Sequence, residues 1–229
     1  MSFPDGRFVE GDYQDGVFVR ERVWNAVMPR LAGPDHITFR MPDGKLTLSQ
    51  IQDDGRPTHA KIEWDDGRRY DGGWSPEGAA GDGEYRDNAG EYYTGGWLNG
   101  RCSGQGKRVT VDATYDGSWV DGRAEGQGVM TTTSGLRVEA TFSAGAPTSG
   151  RLTFSDGTTF RGTFFDGQPQ SGEYFDRTGQ PIRPRGDGDR DRFEKDFERP
   201  RREQAKAEGN SFRICADTPR GPICWGGRL

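Results

Sequence analysis

The sequence repeats a short pattern at a nearly constant interval. In its fullest form, from residue 115 to residue 136, the pattern is YDGSWVDGRAEGQGVMTTTSGL. An aromatic residue opens it, a Trp follows four positions later, and an Asp-Gly turn and a Gly-x-Gly pair precede a β-branched run. Equivalent units open at residues 70, 93, 115, 138 and 160, a period of 22 or 23 residues. A period of this length is typical of repeat architectures, in which each unit packs on its neighbours.

Each unit has the pattern of a strand, a tight turn, a second strand and a second turn. Asn99-Gly100 and Asp121-Gly122 are typical of two-residue hairpin turns. Two weaker units, near Val23 and Thr47, keep only the spacing and the hydrophobic positions. We therefore predict an all-β fold, an elongated single-layer antiparallel sheet of tandem β-hairpins. About fourteen strands at about 4.8 Å per strand would span roughly 65 Å.

The repeat pattern divides the chain into an array with a different region on either side. Residues 1–20 are predicted to form an N-terminal capping hairpin, with Phe8-Val9 as one strand and Val17-Phe18-Val19 as the other. A hairpin here would cover the exposed edge of the first repeat. Residues 21–180 form the array of about seven units, which are clearest from 70 to 160.

The third region, residues 181–229, is predicted to contain a charged linker, a short helix and a C-terminal docking segment. Pro200 is expected to end or kink the helix. The apolar residues of this region are too few to form a core of their own and therefore need another surface to be buried against. We predict tail docking by Phe193, Phe197, Phe212, Ile214, Ile223 and Trp225. They either cap the open end of the array in the same chain or dock on a partner or a second copy. The long linker slightly favours a partner.

The aromatic residues of the three best units are the candidate partner-binding residues. Residues four positions apart on a strand share a face, so the rings should form one ladder made of Tyr70, Trp74, Tyr93, Trp97, Tyr115 and Trp119. Two interpretations are open. The rings are the core of a single-layer sheet, or they line a concave groove for a helix or an extended peptide.

Composition and charge exclude several classes of partner. The net charge is −5 and the pI is near 5.2, so the chain has no general attraction to nucleic acid or to anionic lipid. The N-terminus lacks a charged-then-apolar signal segment, and no apolar run approaches the length of a membrane span. These features indicate a cytoplasmic protein, for which a membrane partner is not expected.

Motifs for catalysis or for a cofactor are not evident in the sequence. The two histidines are isolated, and neither G-x-S-x-G nor H-E-x-x-H occurs. Asp187-x-Asp189-x-Asp191 follows the ligand spacing of an EF-hand, but Arg192 takes the place of the required Gly, so we predict no metal site. Cys215 and Cys224 flank a short turn, and a disulfide between them is geometrically feasible if their strands pair.

The repeated pattern resembles the MORN family (membrane occupation and recognition nexus). The resemblance rests on Y-x-G-x-W, an Asn/Asp-Gly turn, G-x-G and a second turn, which are most complete in the units at 93 and 115. It implies a non-catalytic scaffold that binds protein partners as a subunit of a larger assembly. The family name suggests a membrane-surface or phosphoinositide-binding module as an alternative. A further alternative is that the array carries a functional C-terminal peptide. Self-association stays open.

Overall fold

The repeats form one long antiparallel sheet in a computed structural model that describes residues 13–14, 17–18, 36–52, 56–184 and 190–209. Fourteen strands follow one another in chain order, and each pairs with the next. The strands are β3 (His36–Met41), β4 (Gly44–Ile51), β5 (Pro57–Trp64), β6 (Arg69–Ser75), β7 (Gly78–Arg86), β8 (Tyr92–Leu98), β9 (Arg101–Val109), β10 (Ala113–Val120), β11 (Arg123–Thr132), β12 (Arg137–Ser143), β13 (Ala146–Thr153), β14 (Thr159–Phe165), β15 (Gln168–Phe175) and β16 (Pro181–Ile182). The predicted all-β sheet of tandem hairpins is confirmed.

The N-terminal region contains a small hairpin that is separate from the main sheet. Strand β1 (Tyr13–Gln14) pairs with β2 (Val17–Phe18) in antiparallel orientation. Val17 and Phe18, which the sequence analysis assigned to a strand, lie opposite Gln14 and Tyr13. Phe8-Val9 and the weak unit near Val23 lie outside the described residues. The capping role of this hairpin stays a prediction.

The tight turns couple each repeat to the one before it. At Asn99 and Gly100 φ is 51° and 76°, the double left-handed conformation of a type I′ turn, which matches the twist of the flanking strands. The Gly100 amide donates a hydrogen bond of 2.9 Å to the carbonyl of Ala79, in the preceding unit. Gly122 repeats this contact, donating to Cys102 over 2.8 Å. Neighbouring units are therefore joined along the turn edge as well as through the sheet.

Side chains alternate between two different faces of the sheet. On β10 the buried residues Ala113, Tyr115 and Trp119 alternate with Asp116 and Val120, which are exposed. The face that carries the buried rings is called the inner face, and the opposite one the outer face. This two-residue period is the property of a pleated strand that the sequence analysis used.

A helical segment at residues 190–209, called the C-terminal helix, follows the array. It consists of α1 (Arg190–Phe193), one π-helical turn (Glu194–Glu198) and α2 (Arg199–Gly209). Pro200 does not end the helical segment, which continues to Gly209; the predicted kink stays a prediction. The amide of Arg199 donates to the carbonyl of Glu194, five residues back, and Pro200 directly follows this wide turn. Elsewhere in a helix, a proline ring would collide with the carbonyl four residues before it.

Candidate partner-binding surfaces

The predicted ladder exists, and it is a zigzag of rings at right angles. Tyr93 contacts Trp97 of its own unit at 5.1 Å and Trp119 of the next unit at 5.4 Å, both edge to face. Tyr115 does the same with Trp119 at 5.1 Å and with Phe142 at 5.0 Å. This arrangement is the favoured geometry of aromatic pairs. Because every Tyr bridges two units, the rings hold the array together.

Most of the ladder is inaccessible to a partner. Tyr70, Tyr93, Trp97, Tyr115 and Trp119 are each less than 5% exposed. Trp74, which lies opposite buried Ala79, is partly buried. The structure therefore agrees with the core interpretation of these six rings and not with an open aromatic groove. The physical reason is that rings of adjacent units cover one another, so a single layer buries its own aromatic face.

The polar atoms of the ladder are satisfied internally. The hydroxyls of Tyr70 and Tyr93 donate to the carbonyls of Gly73 and Gly96 over 2.7 and 2.9 Å. The Trp119 indole N–H donates to the Gly106 carbonyl over 2.9 Å. Burial raises the pKa of Tyr70 well above its ordinary value. These phenols are neutral structural groups, and the geometry gives them no free atom for ligand chemistry.

The outer face is polar and mixed in charge, with cross-strand ion pairs. Lys45 pairs with Glu63 at 3.1 Å, and Arg183 with Glu173 at 3.1 Å. Glu139 accepts from Arg137 on its own strand over 2.8 Å. Exposed pairs of this kind contribute little to stability. Charges of both signs give this face no uniform potential toward a charged partner.

One row of the outer face departs from this polar pattern. Leu98, Val120 and Phe165 are 56%, 54% and 71% exposed, and they are called the turn-edge row. Each follows a buried ring of the inner face, Trp97, Trp119 or Phe164, and directly precedes a tight turn. Sequence analysis missed the row, although the position after each of these rings was available as a signal. Three large apolar side chains at equivalent repeat positions form a recurring surface feature.

Arginines accompany the first two members of the turn-edge row, Leu98 and Val120. Leu98 lies opposite Arg101, and Val120 lies opposite Arg123, in the cross-strand register. Arg101 forms an exposed ion pair with Asp121 at 3.8 Å. A shallow pocket of about 270 Å³ opens here, lined by Arg101, Val120, Asp121, Arg123, Glu125 and Ala144. The edge thus combines exposed aliphatic groups with cationic and anionic groups.

The C-terminal helix packs at the C-terminal end of the array, beside β15. Phe197 packs edge to face on Tyr174 at 5.3 Å, and Phe193 stacks on Phe197 at 5.0 Å. Two of the six predicted tail-docking residues, Phe193 and Phe197, are therefore placed within the chain, near the last ring of the sheet. The other four, Phe212, Ile214, Ile223 and Trp225, lie outside the described residues, as do Cys215 and Cys224.

Arg201 provides the polar half of this helix contact, and the sequence analysis did not identify it. It donates to the Asp156 carboxylate over 2.7 Å and to the Thr158 hydroxyl over 3.2 Å. Its guanidinium carbon lies 3.7 Å from the centre of the Phe197 ring. An arginine four residues after a phenylalanine on a helix lies on the same side, which is the signal that could have found it.

The Asp156 carboxylate is held as an anion. Burial raises its pKa, but hydrogen bonds from the Thr158 hydroxyl and amide, together with the charge of Arg201, outweigh burial and leave the pKa of Asp156 below its ordinary value of 3.8. A carboxyl with a lowered folded pKa stabilises the folded state above its unfolded pKa. This contribution is lost as the pH falls through the folded pKa.

We therefore expect acid to loosen the C-terminal helix below about pH 4. The methyl group of Ala205, which is fully buried, reports docking through its NMR chemical shift between pH 7 and pH 3. Asp156→Asn should give the undocked shift already at pH 7, or remove the acid transition. Asp176→Asn is the matched control because Asp176 accepts the same hydrogen bonds from Thr178, at 2.8 and 2.7 Å. An acid transition that is unchanged in Asp156→Asn would contradict the assignment.

The helices of the described residues include none with the length and apolar character needed to cross a membrane.

A family of known proteins matches the central repeats of the array. The MORN repeat family matches residues 93–112 and 115–137. No curated protein matches the chain significantly.

Solved structures similar to the chain include a mutant of the TCP10 domain of Danio rerio CPAP. It is 17% identical, covers 65% of this chain and 81% of that chain, and has a TM-score of 0.28. A score this low carries no argument from that domain to this protein. The family match falls on β8 to β11, the centre of the zigzag ladder, where the motif is most complete. Two consecutive repeats of the array, residues 93–112 and 115–137, therefore match the MORN repeat family.

Proposed function

We propose that this protein is a non-catalytic scaffold that binds another protein along the turn edge of its repeat sheet. The observation that carries the proposal is the turn-edge row, whose three side chains are more than half exposed at equivalent positions of the repeats. Exposed apolar groups that recur in register mark interaction surfaces more strongly than groups scattered singly.

The spacing of the row favours a helix as the bound element. Leu98 and Val120 lie on β8 and β10, two strand spacings apart, which is about 10 Å. Two turns of an α-helix advance about 11 Å. A helix lying across the strands, with two aliphatic residues seven positions apart, would therefore meet both Leu98 and Val120. Acidic residues beside these positions would face Arg101 and Arg123.

Affinity capture with the full chain tests the proposal. The variant Leu98→Ser/Val120→Ser should lose a bound protein that the wild type retains, because two neighbouring contacts of the row are removed. Val111→Ser is the matched control, since Val111 is 65% exposed but lies outside the row. Bound protein should remain with this variant.

The identity of the captured protein adds a second check. A fragment of it that spans the predicted heptad-spaced helix should bind purified wild-type chain about tenfold or more tightly than the double variant. Capture that is identical for the wild type and the double variant would show that the turn edge is not the binding surface.

A further inference from the structure

We propose that the C-terminal end of the array is a helix receptor, which the protein's own C-terminal helix occupies as a displaceable ligand. The partner that fits is a helix of another protein with a phenylalanine and an arginine four residues apart. This inference rests on the proposed scaffold function but concerns a different surface from the turn-edge row.

The apolar half of the receptor is the last rung of the ring ladder. Tyr174 on β15 packs against Phe160 at 5.0 Å on one side and against Phe197 of the helix at 5.3 Å on the other. In the middle of the array the next repeat supplies the second ring, as Trp119 does for Tyr93. At the end of the array, Phe197 takes that place. An aromatic ring presented by any helix would complete the ladder in the same way.

The polar half of the receptor is built by the array itself. One oxygen of Asp156 accepts from the amide and the hydroxyl of Thr158, at 2.8 and 2.6 Å. The other oxygen accepts from Arg201 at 2.7 Å. Because Thr158 belongs to the same turn as Asp156, the orientation of the carboxylate does not depend on the helix. The carboxylate is therefore preorganised to bind a guanidinium.

A turn in the first part of the array has the same arrangement, an Asp two residues after an aromatic residue, which is called the aromatic-x-Asp corner. There the arginine comes from the turn itself. Arg68 donates to the Asp66 carboxylate over 2.6 Å, and its guanidinium lies 5.0 Å from the centre of the Trp64 ring. Asp156 follows Phe154 at the spacing at which Asp66 follows Trp64. The corner at Asp66 is filled from its own turn, whereas the corner at Asp156 is filled by a residue 45 positions away. Two corners of this type therefore bind a guanidinium, one from its own turn and one from the C-terminal helix.

The protein's own helix is an imperfect ligand for this receptor. Ala205 is the one fully buried apolar residue of α2 among those with described side chains, and Phe193 and Phe197 are only partly buried. Within the described residues, the buried Arg202 Nε of the helix lacks a hydrogen-bond partner. A buried polar atom without a partner destabilises the arrangement that buries it. A partner helix that buried no such atom would therefore compete with the C-terminal helix.

Competition between a peptide and the full chain tests the receptor. The probe is a fluorescein-labelled synthetic peptide of residues 190–209, followed by fluorescence anisotropy. The full-chain variant Phe197→Ser/Arg201→Ser, called the released variant, should bind this peptide saturably. Wild type should bind it about tenfold or more weakly because its own helix occupies the site. Lys195→Ser/Arg199→Ser changes two exposed helix residues and should behave as wild type.

Further variants assign the binding to the two halves of the receptor. Adding Asp156→Asn to the released variant should abolish binding, as should placing Ser at Phe197 and Arg201 of the peptide. Thermal unfolding monitored by circular dichroism must show a folded array in each variant. A folded released variant that does not bind the peptide overturns the proposal. Equal binding by the wild type and the released variant also overturns it, because the site would then not be occupied by the chain's own helix.

Two more measurements distinguish the receptor from a dimer interface and from the turn edge. Light scattering that showed a wild-type dimer, converted to a monomer in the released variant, would overturn the intramolecular arrangement in favour of helix exchange between copies. Leu98→Ser/Val120→Ser, introduced into the released variant, should leave peptide binding unchanged. Failure of the turn-edge proposal and failure of the receptor proposal are therefore distinguishable.

Discussion

Replacing Trp119 with alanine should lower the free energy of unfolding by about 3–5 kcal/mol, the usual cost of removing a buried Trp. The indole is 1% exposed and packs at 5.4 Å on Tyr93 and at 5.1 Å on Tyr115. These two tyrosines belong to adjacent units, so the cavity would open at the contact between the units. The Gly106 carbonyl would also lose its hydrogen bond from the indole N–H.

Chemical denaturation followed by circular dichroism measures this effect, with Val120→Ala as the neighbouring control. Val120 is 54% exposed, and its truncation should change stability by no more than about 0.5 kcal/mol. A repeat array is stabilised mainly by contacts between neighbours, so the loss at Trp119 should be felt by both flanking units. Similar small effects for the two variants would mean that the ladder is not the core of the sheet.

The sequence was sufficient to predict the hairpin array because its signals are local. Turn residues such as Asp121-Gly122 set the chain reversals, and the four-residue spacing from Tyr115 to Trp119 sets the shared face. Neither signal depends on residues that are distant in the chain. The strand order follows from them directly, since each hairpin is adjacent to the next in sequence and in space.

The burial of the ladder rings could not be derived from local signals in the same way. Spacing places Tyr93 and Trp119 on one face, but it does not say whether the rings stand apart or cover one another. That depends on the perpendicular contact at 5.4 Å and an interplanar angle of 89°, which the packing of two whole units determines. The groove alternative for these residues was reasonable from spacing alone, and ring-on-ring burial decides against it.

Long-range pairing explains what was missed at the C-terminal end. Asp156 appears in the sequence as an ordinary turn residue, and Arg201 as one of many charges on a polar helix. Their contact joins residues 45 positions apart, and no periodicity relates them. The sequence analysis left open whether the helix ends or bends at Pro200, because sequence patterns do not signal a single π-turn that makes room for a proline.

The second glycine of each G-x-G pair is the other position at which a substitution should strongly lower stability, because a tyrosine ring lies across it. A side-chain carbon at Gly106 would overlap the hydroxyl of Tyr93, and it would lie 2.6 Å from the ring carbon that carries that hydroxyl. Tyr93 is 1% exposed, contacts Trp97 and Trp119, and donates to the Gly96 carbonyl. The ring therefore cannot move aside without breaking the ladder.

We expect Gly106→Ala to destabilise the array by about 3 kcal/mol, at the upper end of the cost of overpacking. Gly104→Ala is the matched control from the same pair. At Gly104 φ is +81°, and an added Cβ would meet nothing within 4 Å, so only the left-handed backbone resists substitution, at about 1 kcal/mol. Denaturant unfolding of both variants compares the two costs directly. Equal losses would mean that Gly106 serves backbone geometry alone, and that the tyrosine ring does not lie across it.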